Sequence, residues 1–371
     1  METFVLTCFY IFAFVLVLSL VVIVHEGGHF MVARWCGVRV EEFSLGFGKE
    51  LWGRTDKKGT RWKICLIPLG GYVKMLGDMD AASAKSSADK VPAKLRPYTF
   101  MAQKLWKRAA IIFAGPATNY IFSIITLGFI IYFSGVTIMP AIITEVEKGS
   151  VAEEIGMLAG DRIAKINGQD IEDFSDVQRI IRVTEFGKEL IIQVDRNGEF
   201  LEMKGTPRYM EKGDHPRLGV RTSGFEIKDK IQTKEVGFFE AFAVSANQAW
   251  VMTRDTLIYL WQVMIEHRPP REMRGPLGIA EASGDAFQGG ILSLLIFVAQ
   301  ISVAVGFMNL LPIPLLDGGH LALYLVEAVR RKPLTERVQN VVMWIGFSML
   351  MGLVGYTFLL DIPRIIQRML E

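Results

Sequence analysis

Apolar residues are clumped along the chain, in runs of two very different lengths. Four segments, roughly 4–32, 107–134, 291–312 and 339–360, are long enough to cross about 30 Å of hydrocarbon at 1.5 Å per helical residue. They predict four transmembrane helices. The third runs into "NLLPIPLLDGGH", where Pro312 and Pro314 must break a regular helix. Broken helix at membrane depth is tolerated only where protein or a water-filled cavity surrounds it.

Shorter patterns lie between these runs. "RWKICLIPLGGYVKM" predicts two short strands around a Pro-Leu-Gly-Gly break, and residues 78–97 read as a polar linker. In 141–223, "AIITEV" predicts a strand. "AEEIGMLAGDRIAKINGQDI" predicts a short helix, a Gly-Asp turn, a strand and a turn, and "ELIIQVDRNGEFLEM" a hairpin turning at Asn197-Gly198. Residues 236–266 are helical and apolar, yet hold Glu240, Asn247, Gln248, Arg254 and Asp255, which predicts an amphipathic helix on the outer membrane surface, with a fifth span as the alternative.

Composition agrees with a membrane protein: 51% of the 371 residues are hydrophobic and the mean hydropathy is positive. A net charge of +2 gives no case for a nucleic-acid partner. Cys8, Cys36 and Cys65 imply no disulfide framework. "METF" has no Lys or Arg ahead of the first run and no cleavage site follows it, so that run reads as a retained span. Charge then sets orientation. Residues 33–106 and the link bearing Arg330, Arg331, Lys332 and Arg337 are basic and predict cytoplasmic placement; the N-terminus and 135–290 fall outside. Arg364 and Arg368 are a mild counter-signal.

Inside the first apolar run stand His25, Glu26 and His29. Each ionisable group at the bilayer centre costs about 2–3 kcal/mol or more, so their presence asks for a function. H-E-x-x-H on a helix puts both imidazoles on one face, within reach of one metal, with zinc the natural choice and Glu26 placed to take a proton from water there. Gly27 and Gly28 weaken the helix and are expected to clear space for a substrate backbone. A third ligand is needed. Asp317, in the Pro-broken stretch after the third span, is the first candidate and His320 its competitor; Asp317 could also be a helix cap. If 236–266 stays on the surface, Asp317 and the histidines meet at the same leaflet; if it crosses, they cannot. A helical substrate must also be unwound and its amides given partners, which an edge strand does by β-addition. "GGYVKM", with Gly71, Tyr72, Val73 and Lys74, is the candidate edge.

Two resemblances follow. Ser150, Ala152, Gly156, Gly160-Asp161, Ile163 and Ile166-Asn167-Gly168 resemble a PDZ domain of the bacterial protease type, and "RLGV" at 217–220 resembles its carboxylate-binding strand, Leu218, Gly219 and Val220. "HEGGH", "AGPATNYIFSI", "RGPLGIAEASG" and "GFMNLLPIPLLDGGHL" together resemble the site-2 protease family of intramembrane metalloproteases, within it the bacterial regulator-of-sigma-E protease group. The resemblance implies a polytopic α-helical membrane protein of about four transmembrane helices, with a membrane-associated β-hairpin region and an inserted αβ PDZ domain. It divides the chain into a catalytic core in two parts, 1–134 and 286–371, a periplasmic PDZ domain, 141–223, and a periplasmic surface helix and loop, 236–285. It implies one Zn2+ per chain held by His25, His29 and Asp317, Glu26 as catalytic acid/base, and Asn309 holding substrate. Expected partners are the lipid bilayer, single-span proteins such as anti-sigma factors or remnant signal peptides, and C-terminal peptides at the PDZ domain; the expected place is the bacterial inner membrane. Familiar members carry two PDZ domains and this chain one. An inactive PDZ-bearing scaffold or a metal transporter are the rival readings.

Overall fold

A computed structural model describes residues 2–77, 91–185, 187–209, 215–223, 226–266, 268–270, 273–332 and 334–370. Most of the expected linker at 78–97 lies outside these. In chain order the elements are α1 (Glu2–Trp35), β1 (Val40–Thr55), β2 (Arg61–Met75), α2 (Leu105–Ser134), β3 (Val136–Ile138), β4 (Glu145–Val146), α3 (Val151–Glu154), β5 (Arg162–Ile166), β6 (Gln169–Asp170), α4 (Phe174–Val183), β7 (Leu190–Arg196), β8 (Glu199–Gly205), β9 (Arg208–Tyr209), β10 (Pro216–Arg217), β11 (Val220–Arg221), β12 (Gln232–Lys234), α5 (Phe238–Ile265), α6 (Pro276–Gln288), α7 (Ile291–Leu310), α8 (Asp317–Arg330) and α9 (Glu336–Leu370). They form two compact units, Met1–Leu127 with Arg274–Glu371, and Gly128–Met273. Among the described residues four helices are long and apolar enough to cross a membrane: Cys8–Trp35, Leu105–Ser134, Ile291–Leu310 and Arg337–Ile362. These match the four apolar runs of the sequence. The helix α5 is long enough but is not among them; Glu240, Arg254 and Asp255 break its apolar run.

In the first unit, α1 packs on α7 through Val17, Val21, Leu294 and Val298, which are buried. The helix α6 lies on the first turns of α1, where Tyr10 donates to Asp285 (2.9 Å) and a side chain at Gly284 would collide with the Tyr10 ring. The start of α6 has no side-chain cap of its own. Asp361, buried in α9, accepts from the N–H groups of Gly275 and Gly278 (3.1 and 3.0 Å) in its place. The other end of α1 carries the β-region. Phe30, Phe43, Phe100 and Ile111 are buried there with Trp62 packed against them, and Phe43 stacks on Trp62 at 4.5 Å.

The strand β2 is one 15-residue strand where the sequence predicts two. The expectation of a break nonetheless has a physical counterpart, because the halves of β2 pair differently. Gly71–Lys74 pairs antiparallel with Glu42–Leu45, and Arg61–Ile64 pairs antiparallel with Trp52–Thr55. The same Glu42–Leu45 stretch has Arg61–Ile64 as Cα partners on its other side. Positive φ at Gly46, Gly48 and Gly70 lets the two chains bend between these ladders. Gly71–Met75 thereby becomes an edge of the β-region, with β1 on one side.

In the second unit β6, β5, β7 and β8 form an antiparallel sheet in that order, and β3–β12, β4–β11 and β9–β10 are two-stranded. Ile163, Ile166, Leu190, Ile192, Val194, Val177 and Leu218 fill its core. The β7–β8 turn at Asn197-Gly198 forms as expected, with φ of 55° and 92°, the left-handed pair that a two-residue hairpin turn demands. The strand expected over 141–146 is shorter: only Glu145 and Val146 pair with β11, and Ile142 makes a single bridge to Arg162. Asp173 caps α4, accepting from Ser175 N–H at 2.7 Å. At the far end of α4 the carbonyls of Val183 and Arg182 accept from Gln262 and Arg268, which tie it to α5.

Candidate metal centre

The histidines stand on α1, one turn apart and both buried. Asp317 opens α8, in its first turn, while the cap position is Leu316 and makes no side-chain bond. So Asp317 is not spent on capping. The break between α7 and α8 places it: α7 stops at Leu310, Leu315 takes a positive φ of 78°, and Gly318 and Gly319 pack so close to the carbonyls of 310, 311 and 313 that no side chain would fit. His25 Nε2 lies 3.1 Å and His29 Nε2 3.4 Å from Asp317 Oδ2, and the two Nε2 atoms are 3.2 Å apart. Three ligands at 2.0–2.1 Å from a tetrahedral zinc stand about 3.3 Å apart, so this triangle has the right size. The donor set also fits. Asp317 Oδ2 is buried and, although at contact distance from two imidazole nitrogens, accepts no hydrogen bond of normal geometry. Among the described residues, His25, His29 and Asp317 are the group that could hold a metal ion; His320 is not part of it.

The helix α2 forms the wall behind the imidazoles. His29 Nδ1 bonds to the Ile111 carbonyl at 2.8 Å and His25 Nδ1 contacts the Asn119 amide at 3.2 Å. Between them, a Cβ on Gly115 would collide with His29 Nε2 and His25 Cε1. The space beside the centre therefore comes from Gly115, which the sequence reading did not single out. Of the glycines that it did single out, Gly28 acts otherwise. Gly28 is where α1 meets α2, with Thr118 and the Ala114 carbonyl in the way of any side chain, and Gly27 faces open space. The available signal was "AGPATNY", in which Gly115 and Asn119 are spaced i, i+4 and so share a helix face.

Glu26 is half-buried beside the histidines. The backbone of Val73 faces its carboxylate, and Gly71 lies against Val22 and the Glu26 side chain. The candidate edge strand thus abuts the candidate base. Tyr72 points elsewhere, donating to Glu42 at 2.9 Å, and Lys74 stands 4.0 Å from Glu41. Asn309 donates to the Val305 carbonyl of its own helix (3.0 Å). In the second unit Gly219 has a positive φ of 90° and packs on Ser150, while the carbonyls of Leu218 and Gly219 accept from Ala152 and Glu147 (2.8 Å each) and Val220 pairs with Val146.

A family model described as Peptidase family M50 matches residues 13–353. The chain belongs to that family, the site-2 proteases. Relatives agree over nearly the whole length. A protein of Rhizobium meliloti is 37% identical over 94% of this chain and 95% of its own, and one of Agrobacterium fabrum is 38% identical over 96% of each; both carry zinc metalloprotease in their names. Metalloprotease MmpA of Caulobacter vibrioides is 32% identical over 94% of each chain. Among solved structures, the PDZ domain of an SdrC-like protein from Listeria innocua is 22% identical, covers 22% of this chain and 91% of that one, and has a TM-score of 0.20. A TM-score that low does not establish a common fold.

Proposed function

We propose that this protein is an intramembrane zinc metalloprotease of the site-2 type, cleaving the transmembrane segments of single-span proteins. One observation carries the reading: donor atoms of His25 and His29, on a membrane-length helix, and of Asp317, after the break that ends another, converge at ligand spacing, with a carboxylate and an edge strand beside them. Zinc held there supplies a Lewis acid that polarises the scissile carbonyl and acidifies water to a pKa of about 7.

The remaining work falls to side chains of this chain. The Glu26 carboxylate takes the proton of the attacking water and passes it to the departing amide nitrogen. In this reading the Val73 N–H holds that carboxylate in place. Gly71–Met75 offers its outer edge to an unwound substrate, replacing the helical hydrogen bonds that lipid cannot replace. Because this edge touches Glu26, a substrate added along it arrives at the base. Exposed Phe47, Leu51, Trp52, Leu66 and Ile67 suit a β-region lying in the membrane interface. Asn309 holds substrate in this reading only after its own-helix bond is given up.

The second unit acts outside the membrane. Residues 141–223 serve as a PDZ domain whose Leu218–Val220 strand receives a C-terminal carboxylate, and α5 rests on the outer leaflet through Phe239, Trp250, Leu257 and Trp261, all exposed. The membrane is the bacterial inner membrane and the substrates are anti-sigma factor-like proteins or remnant signal peptides, in regulated intramembrane proteolysis. Glu26→Gln tests the chemistry, since it removes a proton acceptor and no ligand. Expected is a fall in cleavage of about 100-fold or more with zinc content unchanged. Retained turnover in purified Glu26→Gln protein rejects the role.

A further inference from the structure

We propose that Asn119 is a positioning residue that fixes the tautomer of His25, with its side-chain oxygen and not its nitrogen turned to the imidazole. The inference rests on the metal reading above and adds a residue to it. A neutral imidazole that offers its Nε2 lone pair must carry its proton on Nδ1, and that N–H needs an acceptor. His29 has one: its Nδ1 meets the Ile111 carbonyl at 2.8 Å, and a carbonyl can only accept. His29 Nε2 is thereby left with its lone pair toward Asp317 and His25.

His25 meets Asn119 instead. With Nδ2 toward His25 Nδ1 (3.2 Å), the amide would donate, the imidazole proton would move to Nε2, and the lone pair would face away from the triangle. Asn119 is fully buried and its Oδ1 has no hydrogen-bond partner there, so the contact with the imidazole is what distinguishes the two orientations of the amide. Oxygen and nitrogen of an amide have the same shape, so the hydrogen-bond network decides between them. Turning the amide over gives Oδ1 the His25 Nδ1–H and frees Nε2 for a metal. Ile111, Gly115 and Asn119 then form one functional stripe on α2 at i, i+4 and i+8: an acceptor for His29, an open space, and an acceptor for His25. The stripe is itself anchored, since Ser302 on α7 donates to the Asn119 backbone carbonyl at 3.0 Å. An acceptor on the far nitrogen of a metal-binding histidine orients the ring and raises its basicity.

The test uses the purified full-length protein in detergent. Long-range proton–nitrogen correlation spectra of metal-free wild type, with the His25 signal assigned by its loss in His25→Gln, are expected to show the Nδ1–H form. Zinc affinity by chelator competition is expected to fall about 10- to 100-fold in Asn119→Leu, which keeps volume and removes the acceptor. Asn119→Asp, which keeps an acceptor in place, is expected to restore it to within a few-fold. An Nε2–H form of His25 in wild type, wild-type affinity in Asn119→Leu, or no rescue by Asp would each overturn the proposal. Wild type that binds no zinc would instead sink the metal reading, with the tautomer spectrum still deciding the role of Asn119.

Discussion

Two aspartates, one in each unit, each with a buried carboxylate oxygen, are treated in opposite ways. Asp161, 1% exposed in the second unit, accepts from Arg196 Nε and Nη2 at 2.7 and 2.8 Å and from Leu158 N–H at 2.9 Å. Both its oxygens are used. Asp317, in the first unit, turns a buried oxygen toward two imidazole nitrogens and takes no well-formed hydrogen bond from either. A buried carboxylate costs several kcal/mol unless it is paired. The saturated acid is scaffold; the unsaturated one, facing two imidazole nitrogens, marks a place made for something other than the chain.

This contrast can be broken from either side. The largest effect is expected for Gly115→Ala, whose new methyl group intrudes on both imidazoles. Zinc content is expected to drop at least about 10-fold and cleavage with it. Alanine also favours helix by about 1 kcal/mol over glycine, so circular dichroism should show no helix loss. Full zinc in Gly115→Ala would mean that the triangle is not the binding site. Val73→Pro comes next: it removes the N–H of the residue whose backbone faces Glu26 and kinks the edge. Cleavage is expected to fall about 10-fold while metal analysis finds zinc unchanged.

On the scaffold side, Asp161→Ala strands the Leu158 N–H and the Arg196 guanidinium. The second unit is expected to lose about 2 kcal/mol, read as faster hydrogen exchange in β5 and β7, with zinc affinity untouched. The smallest effect is a pH dependence. The hydrogen bond from Arg196 holds the Asp161 carboxyl below the usual carboxylate range. A depressed folded pKa contributes stability that is present above the unfolded pKa, about 4, and is lost as pH falls through the folded one. Protection of β5 should therefore be flat from neutral pH to about 5 and decline in acid, and Asp161→Asn should flatten that decline.

The sequence made the spans and the helical His pair legible, because both are local patterns of period and length. It left Asp317 and His320 as rivals, since which of them meets residue 25 depends on how the break at 311–316 turns, and that turn rests on Leu315 at positive φ, which no propensity announces. The same holds for β1 and β2. Alternation along 61–75 suggests strands, but their double pairing with β1 is set by bends at Gly46, Gly48 and Gly70 and cannot be read from either strand alone. Gly115 and Asn119 went unread for a different reason. A missing side chain and a buried amide acquire meaning only when the facing helix is known.

The most direct measurement is zinc stoichiometry with X-ray absorption at the zinc edge on the purified full-length protein, wild type beside Asp317→Asn. Expected is one zinc per chain in wild type, with two imidazoles and oxygen donors in its shell, and a clear loss of occupancy in the variant. A wild-type shell lacking imidazole, or full occupancy after Asp317→Asn, would contradict the convergence of His25, His29 and Asp317 on one ion.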